Sequence, residues 1–145
     1  MTTLIGIAWR EKPRQPMLTG SETLITPEAG LAGDFRGAPG QRQVTVLFEE
    51  DWLVACAELG EVRDWTIRRA NLLVRGLKNP RAAEGRIVIG AVELQITGQT
   101  DPCNKMDQQW EGLRAALTPQ WRGGVTTRVV QGGPIRLGDQ AALVR

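Results

Sequence analysis

The chain contains no histidine and no tyrosine, and only two cysteines, Cys56 and Cys103. Each scarcity removes a class of chemistry. Without imidazole there is no Ser-His-Asp or Cys-His nucleophile pair, no histidine metal site and no histidine acid–base group. Two cysteines outside any CxxC pair give neither a disulfide framework nor a zinc site. No apolar run approaches the roughly 18 to 20 residues of a membrane span. The opening stretch MTTLIGIAWREK lacks the basic leader, apolar segment and small-residue cleavage site of a secretory signal. The cytoplasm is therefore the expected compartment, with no membrane partner. A net charge of +2 does not point to nucleic acid. Any chemistry must come from carboxylates, arginine, lysine, hydroxyls, a thiol or a bound cofactor.

What is present is ordinary for a globular protein. The 145 residues suffice for one full core, so a single domain over 1–145 is expected. Hydrophobic residues make up 41% and charged residues 23%, as in soluble domains. Seventeen glycines and eight prolines imply many turns and favour a β-rich plan over a helical bundle. The basic residues are lopsided, 15 arginines against 3 lysines. Arginine is the better bidentate partner for phosphate and carboxylate, although arginine-favouring codon usage explains the same bias.

Strand and helix patterns alternate along the chain. TLIGIAWR (3–10) sets Leu4, Gly6 and Ala8 against Ile5, Ile7 and Trp9 and reads as a strand. ETLIT (22–26) is a short strand ended by Pro27. Residues 27–42 carry four glycines and two prolines and read as a structured loop. QVTVLF (43–48) is a β-branched strand running into EEDWLVACAELG, where Phe48, Trp52, Cys56 and Leu59 recur at helical spacing and Gly60 is the stop. Cys56 falls in that apolar stripe and reads as an inert buried thiol. TIRRANLLVRG (66–76) is a strand or strand-loop, and GRIVIGAVELQITG (85–98) a hairpin about Gly90 and Ala91. Met106, Trp110, Leu113 and Leu117 mark one face of a helix over 106–117. Strands at 125–130 and 140–144 close the chain, separated by a Gly-Gly-Pro turn. Six to eight strands with two or three short helices are predicted, most simply a β-barrel with helices at its ends.

Cys103 sits apart from Cys56. Pro102 cannot extend the preceding ladder, so the chain turns and Cys103 precedes a helix-like segment. Helix amides there favour a thiolate, Lys105 adds to this, and Asp101 and Asp107 oppose it. A small cysteine packed in a turn is the alternative. GLAGDFRG (30–37) has the spacing of neither a Rossmann nor a P-loop fingerprint and reads as a turn. Arg68 and Arg69, in RRAN beside Asn71, form a candidate anion cradle or a solvated strand-end pair. Arg128, flanked by valines in VTTRVV, needs a partner or a rim position.

Taken in order, GLAGD (30–34), RQVTVLFEEDW (42–52), ANL (70–72), GRIVIGAVELQITG (85–98), TDPC (100–103) and GGVTTRVVQGGPIRLGD (123–139) resemble the MOSC domain, the module at the C-terminus of molybdenum cofactor sulfurases. The resemblance implies a mainly β, barrel-rich fold. It also implies a single cysteine, here Cys103, that carries sulfur as a persulfide or binds the molybdenum of a pterin cofactor (molybdopterin). Some relatives reduce N-hydroxylated compounds with that cofactor. Others are fused to a pyridoxal-phosphate desulfurase, so pyridoxal phosphate would enter only through a separate partner, as would an electron donor. The pterin ends in a phosphate, for which Arg68, Arg69 and Arg128 are suitable partners, with Asn71 matching the family's Asn-Leu pair. Phe35 and Arg36 stand where many members carry a histidine, and Ala70 where many carry an acid. A non-catalytic module that stores or delivers the cofactor is the alternative function. Substrate and oligomeric state are not legible.

Overall fold

The computed structural model describes residues 2–145. The first strand, β1 (Thr3–Trp9), pairs antiparallel with β2 (Leu18–Thr19) and with β6 (Leu72–Arg75). Its alternation breaks at a register shift between Leu4 and Gly6. Both Leu4 and Ile7 therefore enter the main core, while Ile5 packs on the opposite side. A strict period of two cannot anticipate this, because one bulged residue turns every following side chain over.

Between them lie β3 (Glu22–Thr26), β4 (Gly30–Leu31) and β5 (Val44–Phe48), then α1 (Glu49–Leu59) and a 3-10 turn at Trp65–Arg68. β5 and β6 are parallel, with α1 in the crossover. Parallel neighbours joined through a helix are covered on both faces. The side chains obey this: Val44, Val46, Phe48, Leu72 and Val74 enter one core, and Leu47 and Leu73 enter the other beneath α1. α1 runs as its sequence predicts from Trp52 onward, but Phe48, expected in its apolar stripe, ends β5 and enters the first core. Trp52, Ala55 and Cys56 are buried, three acids occupy the first turn, and Gly60 caps the end at φ 88.

The remaining strands are β7 (Arg86–Ile89), β8 (Val92–Gln99), β9 (Val125–Gln131), β10 (Gly133–Arg136) and β11 (Ala141–Val144). The large sheet runs β11-β7-β8-β9-β5-β6-β1-β2, and a small one runs β10-β3-β4. This corrects the barrel expectation. No continuous ladder joins β11 to β1; contact there is a single Thr3–Gln140 bridge with flanking hydrogen bonds such as Ala141 N to Thr2 O at 3.0 Å. The Gly-Gly-Pro stretch, expected to be only a turn, supplies β10, because Pro134 lies in an edge strand where its missing N–H costs nothing.

The helix expected over 106–117 is two helices, α2 (Asn104–Gln109) and α3 (Leu113–Leu117). Gly112 separates them at φ 90, a left-handed conformation that ends a helix. The apolar face survives the break. Met106, Trp110, Leu113 and Leu117 all join the second core with Trp52 and Cys56.

Candidate functional site

The end of β1, the start of β5, the approach to β6 and the exit of β8 meet around one cleft. It is lined by Arg10, Met17, Asp34, Phe35, Arg36, Arg42, Thr45, Arg68, Arg69, Asn71, Thr100, Asp101, Cys103, Lys105 and Met106. Six cationic side chains face two carboxylates here. The four ion pairs among the described residues, Arg63–Glu61, Arg75–Glu49, Arg86–Glu93 and Arg122–Glu58, involve none of them. The cleft therefore carries an excess of positive charge that the protein leaves unpaired.

Cys103 is exposed, whereas Cys56 is fully buried. Pro102 ends the strand region and Cys103 occupies the N-cap of α2 in an extended conformation, its carbonyl accepting from Met106 N at 2.9 Å. α2 is held against α3 by Arg114 N donating to Asp107 Oδ1 at 3.0 Å and by the Arg114–Asn104 side-chain contact. The thiol thus stands on a braced platform at the mouth of the cleft.

Arg68 is the deepest cation, 5% exposed. Its Nε donates to Gly123 O at 3.1 Å, Nη2 to Thr100 O at 2.8 Å and Nη1 to Met106 Sδ at 3.4 Å. Burial is the leading influence on it and pushes its pKa down to about 10, opposed by a thiolate at Cys103. At neutral pH it remains a buried cation held only by neutral acceptors. Arg69 follows at φ 65, a left-handed conformation uncommon outside glycine, with its N–H on Thr66 O at 3.0 Å. That reversal turns the chain from the 3-10 turn into β6 and leaves Arg69 half-buried on the cleft wall.

Asn71 lines the cleft but its hydrogen bonds go to the protein. Oδ1 accepts from Thr45 N at 3.0 Å and Thr45 Oγ1 at 3.2 Å, and Nδ2 donates to Ala8 O at 3.1 Å. It ties β1, β5 and β6 together where the site opens. Arg128 stands apart from the group. It is exposed on β9, opposite Gln95, and does not line the cleft. The flanking Thr127 and Val129 are buried on the opposite face of the strand, so the charge between them reaches solvent without a partner.

The sequence reading missed Arg10, Arg36, Arg42 and Thr100. The glycine-rich loop brings the second of these into place. Gly30 and Gly33 adopt φ 63 and φ 83, and at Gly37 a Cβ would lie 1.7 Å from Ala29 O. The loop docks on the end of β1, with Arg10 N on Asp34 Oδ1 at 3.2 Å and Phe35 N on Arg10 O at 3.0 Å. The Arg10 and Arg36 guanidiniums both pack on the Phe35 ring, 4.8 and 5.2 Å from its centroid. Burial and the neighbouring Arg69 and Arg36 charges lower the Arg10 pKa against the pull of Asp34. Buried Gln43 fastens the loop from behind, donating to Pro27 O at 2.7 Å and Gly37 O at 3.0 Å while accepting from Val129 N at 2.9 Å. No local spacing in the sequence signals these arginines, because they arrive from two separate loops, Arg10 from the one after β1 and Arg36 and Arg42 from the one before β5.

The MOSC domain family model matches residues 30–142, a span that contains Cys103 and all the cleft residues except Arg10 and Met17. The chain belongs to the MOSC domain family. No curated protein matches the chain in sequence. Among solved structures, this MOSC chain is similar to the YuaD protein of Bacillus subtilis at TM-score 0.82 and 17% identity, covering 97% of this chain and 94% of that one. It is also similar to YiiM of Geobacillus stearothermophilus, with TM-score 0.76, 18% identity and coverage of 100% and 76%. YiiM of Escherichia coli gives TM-score 0.71, 18% identity and coverage of 99% and 70%. At these identities the likeness is one of fold. No helix among the described residues is long and apolar enough to cross a membrane.

Proposed function

We propose that this MOSC domain binds a phosphorylated pterin cofactor of molybdenum in the cationic cleft, with Cys103 as its covalent contact, as metal ligand or carrier of a sulfane sulfur. The family is linked to molybdenum-cofactor binding and sulfur transfer. The observation that carries the reading is an exposed thiol standing over a cleft whose cations lack carboxylate partners.

The donor set fits such a group. Among the described residues no three His, Cys, Asp or Glu side chains converge as a metal cage. A metal held here would have one protein thiolate and must bring its other ligands with it, as a metal on an organic cofactor does. When bound, the cofactor would supply a redox-active centre or a transferable sulfur that this histidine-free chain cannot supply itself. The chain's own contribution is binding and orientation. Arg68 and Arg69 attract and fix an anionic tail. Arg10 and Arg36, clamped on Phe35, set the width of the mouth. Asn71 holds the three strands that carry this frame and acts through them, so its role is positioning.

An exposed thiol also suits a carrier that hands the cofactor on, which is the second reading. Either role places the protein in the cytoplasm, where thiols stay reduced.

The test is molybdenum, pterin and cyanolysable sulfur content of protein made in a molybdenum-replete host. Cys103→Ser is expected to fold normally and lose metal and sulfur, whereas Cys56→Ser keeps them and loses stability, since it buries a hydroxyl among apolar groups. Wild-type protein that never carries metal or sulfur, or a Cys103→Ser variant that retains both, would sink the reading. Copurifying cofactor with turnover of N-hydroxylated compounds marks an enzyme; cofactor without turnover marks a carrier.

A further inference from the structure

We propose that the groove formed by β1, the β2–β3 turn and the 3-10 turn at Trp65–Arg68 is a binding site for a guanidinium-bearing ligand. The Trp65 indole is its stacking surface and the Asp64 carboxylate its counter-charge. The groove shares no residue with the cationic cleft, and the proposal does not rest on the cofactor reading.

The groove measures about 400 Å³, within the range of small-ligand sites, and its walls include Gly6, Gly20, Ser21, Asp64, Trp65 and Leu137. It depends on a side chain that β1 lacks. A Cβ at Gly6 would lie 2.5 Å from Trp65 Cζ2 and 2.8 Å from Cε2, so only glycine lets the indole rest against the strand. The ring is half-buried and packs on the second core with Ile5, which fixes it before any ligand arrives. Asp64 is fixed as well. As N-cap of the turn, its Oδ1 accepts from Thr66 N at 2.8 Å and from Thr66 Oγ1 at 2.7 Å. Its Oδ2 accepts no hydrogen bond among the described residues, and none of their four ion pairs includes Asp64. No lysine or arginine lines the groove, in a chain that has 18 of them. The charge and the aromatic ring on its walls therefore suit a cation from outside.

The neighbouring residue sets the chemical class. Arg63 directly precedes Asp64 yet does not line the groove. Its Nε and Nη2 reach Glu61 Oε1 at 2.8 and 2.7 Å, and its guanidinium lies 4.4 Å from the centroid of the Trp110 ring. A carboxylate and an indole together are thus how this protein holds one of its own arginines. Asp64 and Trp65 supply the same two groups at the wall of an open groove. A guanidinium fits them better than an ammonium, since its plane stacks on an indole while its edge donates to a carboxylate.

The experiment is a titration of nitrogen-15-labelled protein with methylguanidinium chloride at constant ionic strength, followed at the Trp65 indole N–H resonance. Wild type gives a saturable shift with a dissociation constant on the order of 1 mM, since cation–π and exposed charge contacts are each worth little. Methylurea, planar and of similar size but neutral, gives none. Asp64→Asn keeps a capping oxygen and removes the charge, so it folds as wild type and binds about fivefold more weakly. Trp65→Phe keeps a ring on the second core, identifies the indole resonance by its loss, and weakens binding read at the Thr66 amide. No saturable shift in wild type, an equal response to methylurea, or unchanged affinity in Asp64→Asn overturns the proposal. The source of the guanidinium is separated by comparing L-arginine with the capped tripeptide acetyl-Gly-Arg-Gly-amide and its citrulline counterpart. Tighter binding of the arginine tripeptide assigns the groove to an arginine of a partner chain, and equal or tighter binding of L-arginine assigns it to a free small molecule.

Discussion

At the scale of single residues, the two cysteines show how burial decides chemistry. Cys56 lies in the apolar stripe of α1 at 0% exposure, and Cys103 is exposed at the head of α2. Brief iodoacetamide treatment of native protein is expected to alkylate Cys103 much faster than Cys56, because only one thiol meets the reagent. Peptide mapping by mass spectrometry reads the result, and equal labelling would remove the distinction. The arginines divide in the same way. Arg68 is buried with neutral acceptors and Arg128 is exposed on the outer face of β9. Arg128→Met is accordingly expected to change stability by less than about 0.5 kcal/mol and to leave anion binding intact.

Among elements, the junction between the 3-10 turn at Trp65–Arg68, β8 and β9 controls the site. The chain enters β9 through Gly123 and Gly124, with Thr100 N bonded to Gly124 O at 2.9 Å. Gly124 requires its left-handed φ of 95 and approaches Val46 O so closely that a Cβ would stand 2.2 Å away. Gly123 needs space for Arg68, whose Nη2 would stand 2.9 Å from a Cβ there. Gly123→Ala is expected to cost about 1–3 kcal/mol of stability through overpacking. It is also expected to weaken phosphate binding, because the guanidinium must withdraw from Thr100. Denaturant unfolding and phosphate titration of the same variant check both effects. Lost stability with undiminished phosphate affinity would separate Gly123 from the site.

For the whole molecule, the frame is an eight-stranded sheet with a three-stranded companion and helices packed on one side, and the cleft opens where loops from distant parts of the sequence converge. Like charges gathered there repel one another, and an anion relieves that repulsion together with the unpaired burial of Arg68. Phosphate at a hundredfold excess over its dissociation constant is expected to stabilise the cofactor-free protein by about 2.7 kcal/mol. For a chain of this size that raises Tm by roughly 5–10 °C. Thermal melts across a phosphate series at constant ionic strength check it, since general screening acts equally in chloride. A rise of the same size in chloride would assign the effect to screening.

Much of this was legible from residue order. Period-two runs marked β3, β5, β7, β8 and β9, and the Trp52–Cys56–Leu59 spacing with Gly60 marked α1, because local backbone preference and amphipathicity act over a few residues. The contrast between Cys56 and Cys103 followed from the same local signals. The bulge in β1, the Gly112 break between α2 and α3, and the open edge where a closed barrel was expected depend on partners far along the chain. So does the cleft. Arg10, Arg36, Arg42 and Arg68 are unremarkable in their own segments, and Thr100 is one more threonine at a strand end. They become a site only when β1, β5, β6 and β8 pair, since burial is a property of packed neighbours rather than of a sequence window.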